Sequence, residues 1–345
     1  MKLKLEYVWL DGTQPEPRLR SKVKIIDFIP ADGPLQFQVP DWSFDGSSTM
    51  QAEGISSDCY LSPIRIYQKS ELRHGDTVYV LCEVFDSEQK PHSTNMRSRL
   101  GDQENDDIWF GFEQEYFIRQ SHKGNLLGHE NEYDVEPQGP YYCGVGGHIV
   151  GRDISDSHLD KCIEYGLQIV GTNAEVALGQ WEYQIFSKGK LKAGDDLWIS
   201  RYFLFKIAEK TGRQIELHPK PKLGWNGSGM HTNFSNSTMR YAGNRSYYDE
   251  LFRTFGKRMN EHIAAYGSDN DKRLTGQYET APIDRFSWGV SDRGASIRIP
   301  KPVSETWRGY LEDRRPSSNA DPYRVIYEIC QTLEETDKLF TLNYK

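Results

Sequence analysis

Two acidic residues, Glu113 and Glu115, stand in the aromatic segment Trp109-Phe110-Gly111-Phe112-Glu113-Gln114-Glu115-Tyr116-Phe117. In a strand, the period of two puts both carboxylates on one face and Phe112, Gln114 and Tyr116 on the other. Carboxylates crowded among aromatic rings repel one another and lose hydration, so the pair calls for a cation. An isolated pair at this spacing is also what a solvated strand face contains, and only the aromatic density sets this one apart. A second pair, Glu175 and Glu182, lies in Asn173-Ala174-Glu175-Val176-Ala177-Leu178-Gly179-Gln180-Trp181-Glu182-Tyr183. Their odd separation sends them to opposite faces of a straight strand, and a turn at Gly179 is needed to bring them together. Taken alone, this second pair reads as structural.

Further on, Gly227 and Gly229 open a segment that aligns His231, Asn233 and Ser235 on one strand face. A strand histidine is ordinarily hydrogen-bonded packing and becomes a metal ligand when carboxylates converge on it. The glycines allow a ligand close to the backbone, although no GxxxxGK[ST] loop occurs in the chain. Arg273, Arg293, Arg298, Arg314 and Arg315 follow, with Glu312 among them. Surface ion pairing is the plain account of such residues and contributes little, but guanidinium forks also suit phosphate and carboxylate groups. Carboxylates and an imidazole followed by arginines suggest magnesium or manganese holding a polyphosphate, that is, metal-dependent phosphoryl chemistry. A glycosidase built on a carboxylate pair is the rival, and it has no use for so many arginines beside a histidine.

These residues need elements to hold them. Alternation or β-branched enrichment predicts strands over residues 3–10, 23–28 and 77–84, with a turn-rich stretch at 41–49. The polar run 86–107 marks a domain boundary, dividing the chain into residues 1–86 and 87–345. A helix is expected over 246–266, with Tyr248, Leu251, Phe252, Phe255, Met259, Ile263 and Tyr266 on one stripe and Gly267 as its stop. Asp195 is expected to cap another that ends at Gly212, Asp321-Pro322 to open a third, and a shorter one to cover 154–170. Helices alternating with carboxylate-bearing strands give an α+β class with a mainly antiparallel sheet.

The whole composition narrows the field further. The chain has 345 residues, 37% of them hydrophobic, and 42 basic against 50 acidic residues leave a net charge of -8, which argues against a nucleic-acid binder. No apolar run approaches the ~18 residues of a membrane helix, and no signal-like start is present. Cys59, Cys82, Cys143, Cys162 and Cys330 form no CxxC pair and fit reduced thiols of a cytoplasmic protein.

In order along the chain, DGSST (45–49), FGFEQEY (110–116), GPYYCGVG (139–146), NAEVALGQWEYQ (173–184), NGSGMHTNFS (226–235), RLTGQYET (273–280), DRGASIRIP (292–300) and GYLEDRRPS (309–317) resemble the motifs of glutamine synthetases. The compact length resembles the type II, eukaryotic-like class that some bacteria carry. The resemblance implies a small β-grasp N-terminal domain followed by a catalytic domain with a curved antiparallel sheet flanked by helices, the glutamine synthetase or guanido kinase-like fold. It implies that ATP phosphorylates the side-chain carboxylate of L-glutamate and that ammonia then displaces phosphate. It further implies two or three Mg²⁺ or Mn²⁺ ions, one held by Glu115, Glu175 and Glu182, another by Glu113, His231 and Glu312.

Carried over in the same way, Asn226, Gly227, Arg273, Arg293 and Arg314 hold glutamate, and Asn233, Phe234, Ser235, Arg293, Arg298 and Tyr310 hold ATP. Asp45, Ser48, Tyr142 and Glu279 form an ammonium pocket, in which Asp45 accepts the proton and Glu279 is the flap carboxylate. Asp45, Glu279, Arg293 and Arg273 are thus the expected catalytic groups. Because Asp45 would reach the funnel of a neighbouring subunit, the resemblance implies a homo-oligomer with shared sites, a decamer of two stacked pentameric rings. A ligase using a larger amine and a non-catalytic structural relative are the alternatives. All six expected metal ligands are present, and Asp45, Ser48 and Glu279 suit a small cation. Leu178-Gly179 stands where many eukaryotic members have proline, and the segment Gly146-Gly147-His148 is left unmatched.

Overall fold

The computed structural model describes residues 1–130 and 135–343. The chain divides into two compact units, residues 1–102 with 160–167, and residues 103–159 with the chain from 168 onward. The break at Asp102 falls inside the polar run that follows Asp86.

In the first unit, β1 (Lys2–Leu10), β2 (Leu19–Asp27), β3 (Trp42–Asp45), β4 (Asp58–Tyr67) and β5 (Thr77–Phe85) form one sheet in the order β2-β1-β5-β4-β3. The alternation Leu3, Leu5, Tyr7, Trp9 places these side chains in a core with Phe28, Phe44, Leu61, Val78 and Val80. β1 and β5 run parallel, and the other pairings are antiparallel. The turn-rich stretch at 41–49 holds more order than expected, since β3 occupies its middle and a tight 3₁₀ turn, Gly46–Thr49, follows. β4 carries Pro63, a residue that ordinarily argues against a strand. Its ladder shifts register between Pro63 and Arg65, and that irregularity accommodates a residue without an N–H.

The second unit is built on β6 (Trp109–Arg119), α1 (Arg152–Glu164), β7 (Ile169–Ala174), β8 (Gln180–Lys188), α2 (Lys190–Lys210), β9 (Gln214–Glu216) and β10 (Met230–Ser235). It continues through α3 (Arg245–Lys257), α4 (Met259–Ala265), β11 (Trp288–Val290), β12 (Ile297–Ile299), α5 (Lys301–Thr306), β13 (Leu311–Asp313) and α6 (Pro322–Asn343). Its sheet runs β11-β12-β13-β10-β6-β8-β7, with β9 also on β6. Every pairing is antiparallel except β11 with β12, so the class is α+β with an antiparallel-rich sheet.

Several helix boundaries differ from the expectation, each for a local reason. The expected 154–170 helix ends at Glu164, because Gly166 takes a positive φ (+76°) and the chain then extends into β7. The 246–266 helix is two helices that break at Arg258, whose guanidinium reaches Glu328 of α6 at 2.8 Å. Asp195 does not cap α2. The helix begins at Lys190, and Asp195 is buried inside it, accepting from the Tyr323 hydroxyl at 2.8 Å. The cap comes instead from Glu104, whose carboxylate accepts the N–H groups of Leu191 and Lys192 at 2.9 and 2.8 Å. For α6, Asp321 accepts the N–H of Tyr323 at 3.0 Å, with Pro322 in the first helical position.

Candidate active site

Glu113 and Glu115 project from β6 into one pocket, while Gln114 between them is fully buried on the opposite face. Registers across the sheet bring the other candidates alongside. Glu182 on β8 lies opposite Glu115, and His231 on β10 lies opposite Glu113. Glu312 on β13 lies opposite Asn233 on β10 and Arg298 on β12. Glu175 arrives from the turn that joins β7 to β8, where its N–H donates to the Gln180 carbonyl at 2.9 Å and Gly179 adopts φ +77°. The hairpin thus delivers both glutamates of the second acidic pair to the pocket.

Within the pocket, His231 Nδ1 lies 3.4 Å from Glu113 Oε2 and 3.6 Å from Glu312 Oε1. One ligand atom from each of these three residues fits within 4.8 Å of the others, the only such grouping of three His, Cys, Asp or Glu side chains among the described residues. Burial, followed by Arg314, holds His231 well below its ordinary pKa, so its imidazole is neutral and able to ligate. The remaining carboxylates carry a strong electrostatic penalty. Glu115 is pushed up to about 8 by burial and then by Glu175. Glu182 is pushed up to about 9 by burial and then by Glu113, Glu115 and Glu175. Glu175 is raised as well, chiefly by burial. A divalent cation among them offsets both costs, so this oxygen-rich set with one imidazole fits magnesium or manganese chemistry.

Each carboxylate is also aimed. Glu115 Oε2 accepts the Gly229 N–H at 2.6 Å, and Glu113 Oε1 accepts from Asn233 Nδ2 at 2.8 Å. Glu175 accepts from Asn173 Nδ2 at 3.0 Å and the Val176 N–H at 3.1 Å, and Glu182 from Gln184 Nε2 at 2.8 Å. The glycine-rich entry has a steric reason. A Cβ at position 229 would stand 2.4 Å from Arg273 Nη2, and one at 227 would stand 2.4 Å from the Pro219 carbonyl oxygen.

Arg273, Arg293, Arg298 and Arg314 line the same pocket. Arg298 Nη1 and Arg314 Nη1 donate to opposite oxygens of Glu312 at 2.7 and 2.6 Å. Arg273 Nη2 lies 3.0 Å from His231 Nε2, and burial pulls its guanidinium down to about 10. The fifth arginine of the sequence pattern is not here. Arg315 points to the rear of β13, pairs with Asp313 at 2.6 Å and is 2% exposed, as the two-residue strand period requires.

Asn226, Gly227, Tyr142 and Glu279 also line the pocket. Asn226 is buried and accepts from Gln138 at 2.9 Å. Glu279 faces Arg293 at 3.6 Å from a loop in which Tyr278 and Glu279 both take left-handed φ values, 54° and 61°. A second hollow shares Glu113 and Gln184 with the first, and Asn233, Phe234, Ser235 and Tyr310 line it with Trp109 and Arg240. Phe234 turns its ring into the core against Phe255, centroids 5.5 Å apart. Asp45 and Ser48 belong to the first unit, at the end of β3 and in the turn after it, and they are not among the residues lining either hollow. There Asp45 accepts from the N–H and Oγ of Ser47 and from Ser48 Oγ, at 3.0, 2.6 and 3.1 Å, and these bonds hold its carboxyl below the usual range. Sequence reasoning overlooked Asn173, Gln180, Gln184, Tyr278 and Thr280 in the lining. The signal for Gln180 and Gln184 was available, since they flank Glu182 at the same period of two.

Residues 94–327 match the catalytic domain of glutamine synthetase. The chain is 50% identical over 340 residues to the glutamine synthetase of Bradyrhizobium diazoefficiens, covering 96% of each chain. It is 48% identical to that of Rhizobium meliloti, over 94% of this chain and 98% of the relative. To that of Saccharomyces cerevisiae it is 43% identical, over 95% of this chain and 88% of the relative. With a match of this extent and a pocket assembled from those same motifs, the chain belongs to the glutamine synthetase family.

Proposed function

We propose that this protein catalyses the ATP-dependent ligation of ammonia to L-glutamate through γ-glutamyl phosphate, releasing L-glutamine, ADP and phosphate. The observation that carries this reading is one pocket in which six potential metal ligands stand beside four arginines. In it, Glu115, Glu175 and Glu182 hold one Mg²⁺ or Mn²⁺ ion and Glu113, His231 and Glu312 another. When bound, these ions neutralise phosphate charge and polarise the transferring phosphoryl group.

The remaining work falls to the chain's own groups. Asn226, Gly227, Arg273 and Arg314 position glutamate so that its side-chain carboxylate meets the γ-phosphate of ATP. The nucleotide lies in the adjoining hollow on Asn233, Phe234, Ser235 and Tyr310. Arg293 and Arg298 steady the phosphoryl group as charge moves onto the leaving ADP. A free carboxylate is a poor electrophile and an acyl phosphate a good one, so the pocket must exclude water until ammonia arrives. Ammonium enters a small cation-binding site made by Asp45, Ser48, Tyr142 and the flap residue Glu279. It gives a proton to Asp45, attacks the acyl carbon and expels phosphate.

Asp45 comes from the small β-grasp domain, residues 1–86, and serves the catalytic domain, residues 87–345, of a neighbouring subunit. The active form is accordingly a closed homo-oligomer, a type II decamer of two pentameric rings in the cytoplasm. The test is phosphate release from ATP by purified protein with Mg²⁺ and L-glutamate. Release is expected only when ammonium is added. Equal release without ammonium, or release that requires a polyamine, overturns the assignment.

A further inference from the structure

Behind the wall of the pocket, a line of buried polar side chains connects α6 to β13. Thr332 Oγ1 lies 2.7 Å from His262 Nε2, His262 Nδ1 lies 2.5 Å from Tyr266 Oη, and Tyr266 Oη lies 2.7 Å from Asp313 Oδ2. All four residues are 0% exposed. The direction of every proton follows from the far end. Arg315 grips Asp313 with Nε on Oδ1 at 2.9 Å and Nη2 on Oδ2 at 2.6 Å, so the carboxylate only accepts. The Tyr266 hydroxyl therefore donates its single proton to Asp313, and its oxygen accepts from His262. That places the imidazole proton on Nδ1 and leaves Nε2 to accept from the Thr332 hydroxyl.

Asp313 stands between Glu312 and Arg314. Strand alternation sends those two into the pocket and turns Asp313 and Arg315 to the rear. β13 is only three residues long, so few ladder bonds define how it sits. Tyr266 itself is well fixed. Its carbonyl accepts the N–H and Oγ of Ser317 at 3.0 and 2.9 Å and Asn270 Nδ2 at 3.2 Å. Apolar side chains would fill this volume at less cost than four aligned polar groups, because each buried polar group must be satisfied.

We propose that Tyr266 and His262 are positioning residues for Glu312 and Arg314: their one-directional hydrogen-bond chain holds Asp313 and thereby sets where the Glu312 carboxylate stands in the pocket. The proposal rests on the reading of Glu312 as a metal ligand. Its test compares the wild type, Tyr266→Phe, Tyr266→Phe with His262→Leu, and Glu312→Ala, measuring Mn²⁺ binding by calorimetry and melting temperature on the full-length protein. Tyr266→Phe deletes one O–H and strands the His262 Nδ1–H. Adding His262→Leu removes the stranded donor, and Thr332 can turn to a carbonyl of its own helix.

Tyr266→Phe is expected to weaken Mn²⁺ binding roughly tenfold, the scale of an outer-shell loss. The double variant should regain melting temperature yet keep the weakened binding. Binding at the wild-type level in the double variant, or weakening that simply follows melting temperature, makes the chain core packing and overturns the proposal. Wild-type protein that binds no Mn²⁺, or Glu312→Ala that binds it as tightly as the wild type, sinks instead the metal-ligand reading beneath it.

Discussion

At the scale of residues, the pocket's acidity decides how it handles protons. Glu115 and Glu182 hold theirs up to about 8 and about 9, while an unfolded chain releases them near the ordinary value of 4.5. Their contribution to the stability of the metal-free protein is therefore full below the ordinary carboxylate range and lost as pH rises through 8 and 9. A divalent cation that binds at these carboxylates must displace those protons. Titrating Mg²⁺ into the protein in buffers of different ionisation enthalpy should show proton release at neutral pH and tighter binding at pH 8 than at pH 6. Binding without proton release, equally tight at both, would contradict the burial argument. Gly229 offers a steric test. Gly229→Ala pushes a methyl group to within 2.4 Å of Arg273 Nη2 and 2.8 Å of His231 Nε2. Because a misplacement of about 1 Å near the chemistry can cost on the order of 10²-fold, kcat/KM should fall by at least tenfold while the melting temperature changes little.

At the scale of elements, the question is what keeps β6 in place behind its two glutamates. Arg201 of α2, 1% exposed, donates to Gln114 Oε1 through Nε and Nη2 at 2.9 and 2.6 Å. It also donates to the carbonyls of Ala320 and Ser318, both at 2.9 Å. Arg201→Met takes the guanidinium from Gln114 Oε1 and the Ala320 carbonyl, while the Ser318 carbonyl keeps Gln114 Nε2 at 3.1 Å; the two buried acceptors left should cost about 3 kcal/mol in urea unfolding. A loss under about 1 kcal/mol would mean that water or a rearranged Gln114 replaces the guanidinium. Much of this architecture was legible beforehand. The period-two placement of Glu113 and Glu115 follows from strand geometry, and Asp321-Pro322 announces α6 through local capping chemistry. Where local reasoning failed, the deciding atoms came from far along the chain. Glu104 caps α2, 87 and 88 residues from the N–H groups it accepts, so Asp195 was free to turn inward to Tyr323. Strand alternation also sorts Arg314 from Arg315, but only once the bounds of β13 are known.

At the scale of the whole molecule, Asp45 carries the proposal of a shared site. If it serves a neighbour's pocket, subunits inactivated at Asp45→Ala and subunits inactivated at Arg314→Ala should complement each other when mixed under conditions that exchange subunits. Random mixing then regenerates some intact sites from the wild-type half of each partner, and activity returns. If sedimentation confirms mixed rings and none is active, each site is built from a single chain. Sedimentation of the wild type alone checks the decamer expectation.

Residue types and their local periods were enough to specify the chemistry: carboxylates sharing a strand face, a histidine behind paired glycines, and a run of arginines. Those are short-range properties, written in spacings of two and in the absence of a side chain at Gly227 and Gly229. Only the tertiary structure could decide which of them meet. Cross-strand register set Glu182 opposite Glu115 and Arg298 opposite Glu312, and it left Arg315 behind the wall with Asp313. Register between strands that are not neighbours in the sequence, as β6 and β10 are not, depends on every turn and core contact between them, and no local pattern contains it.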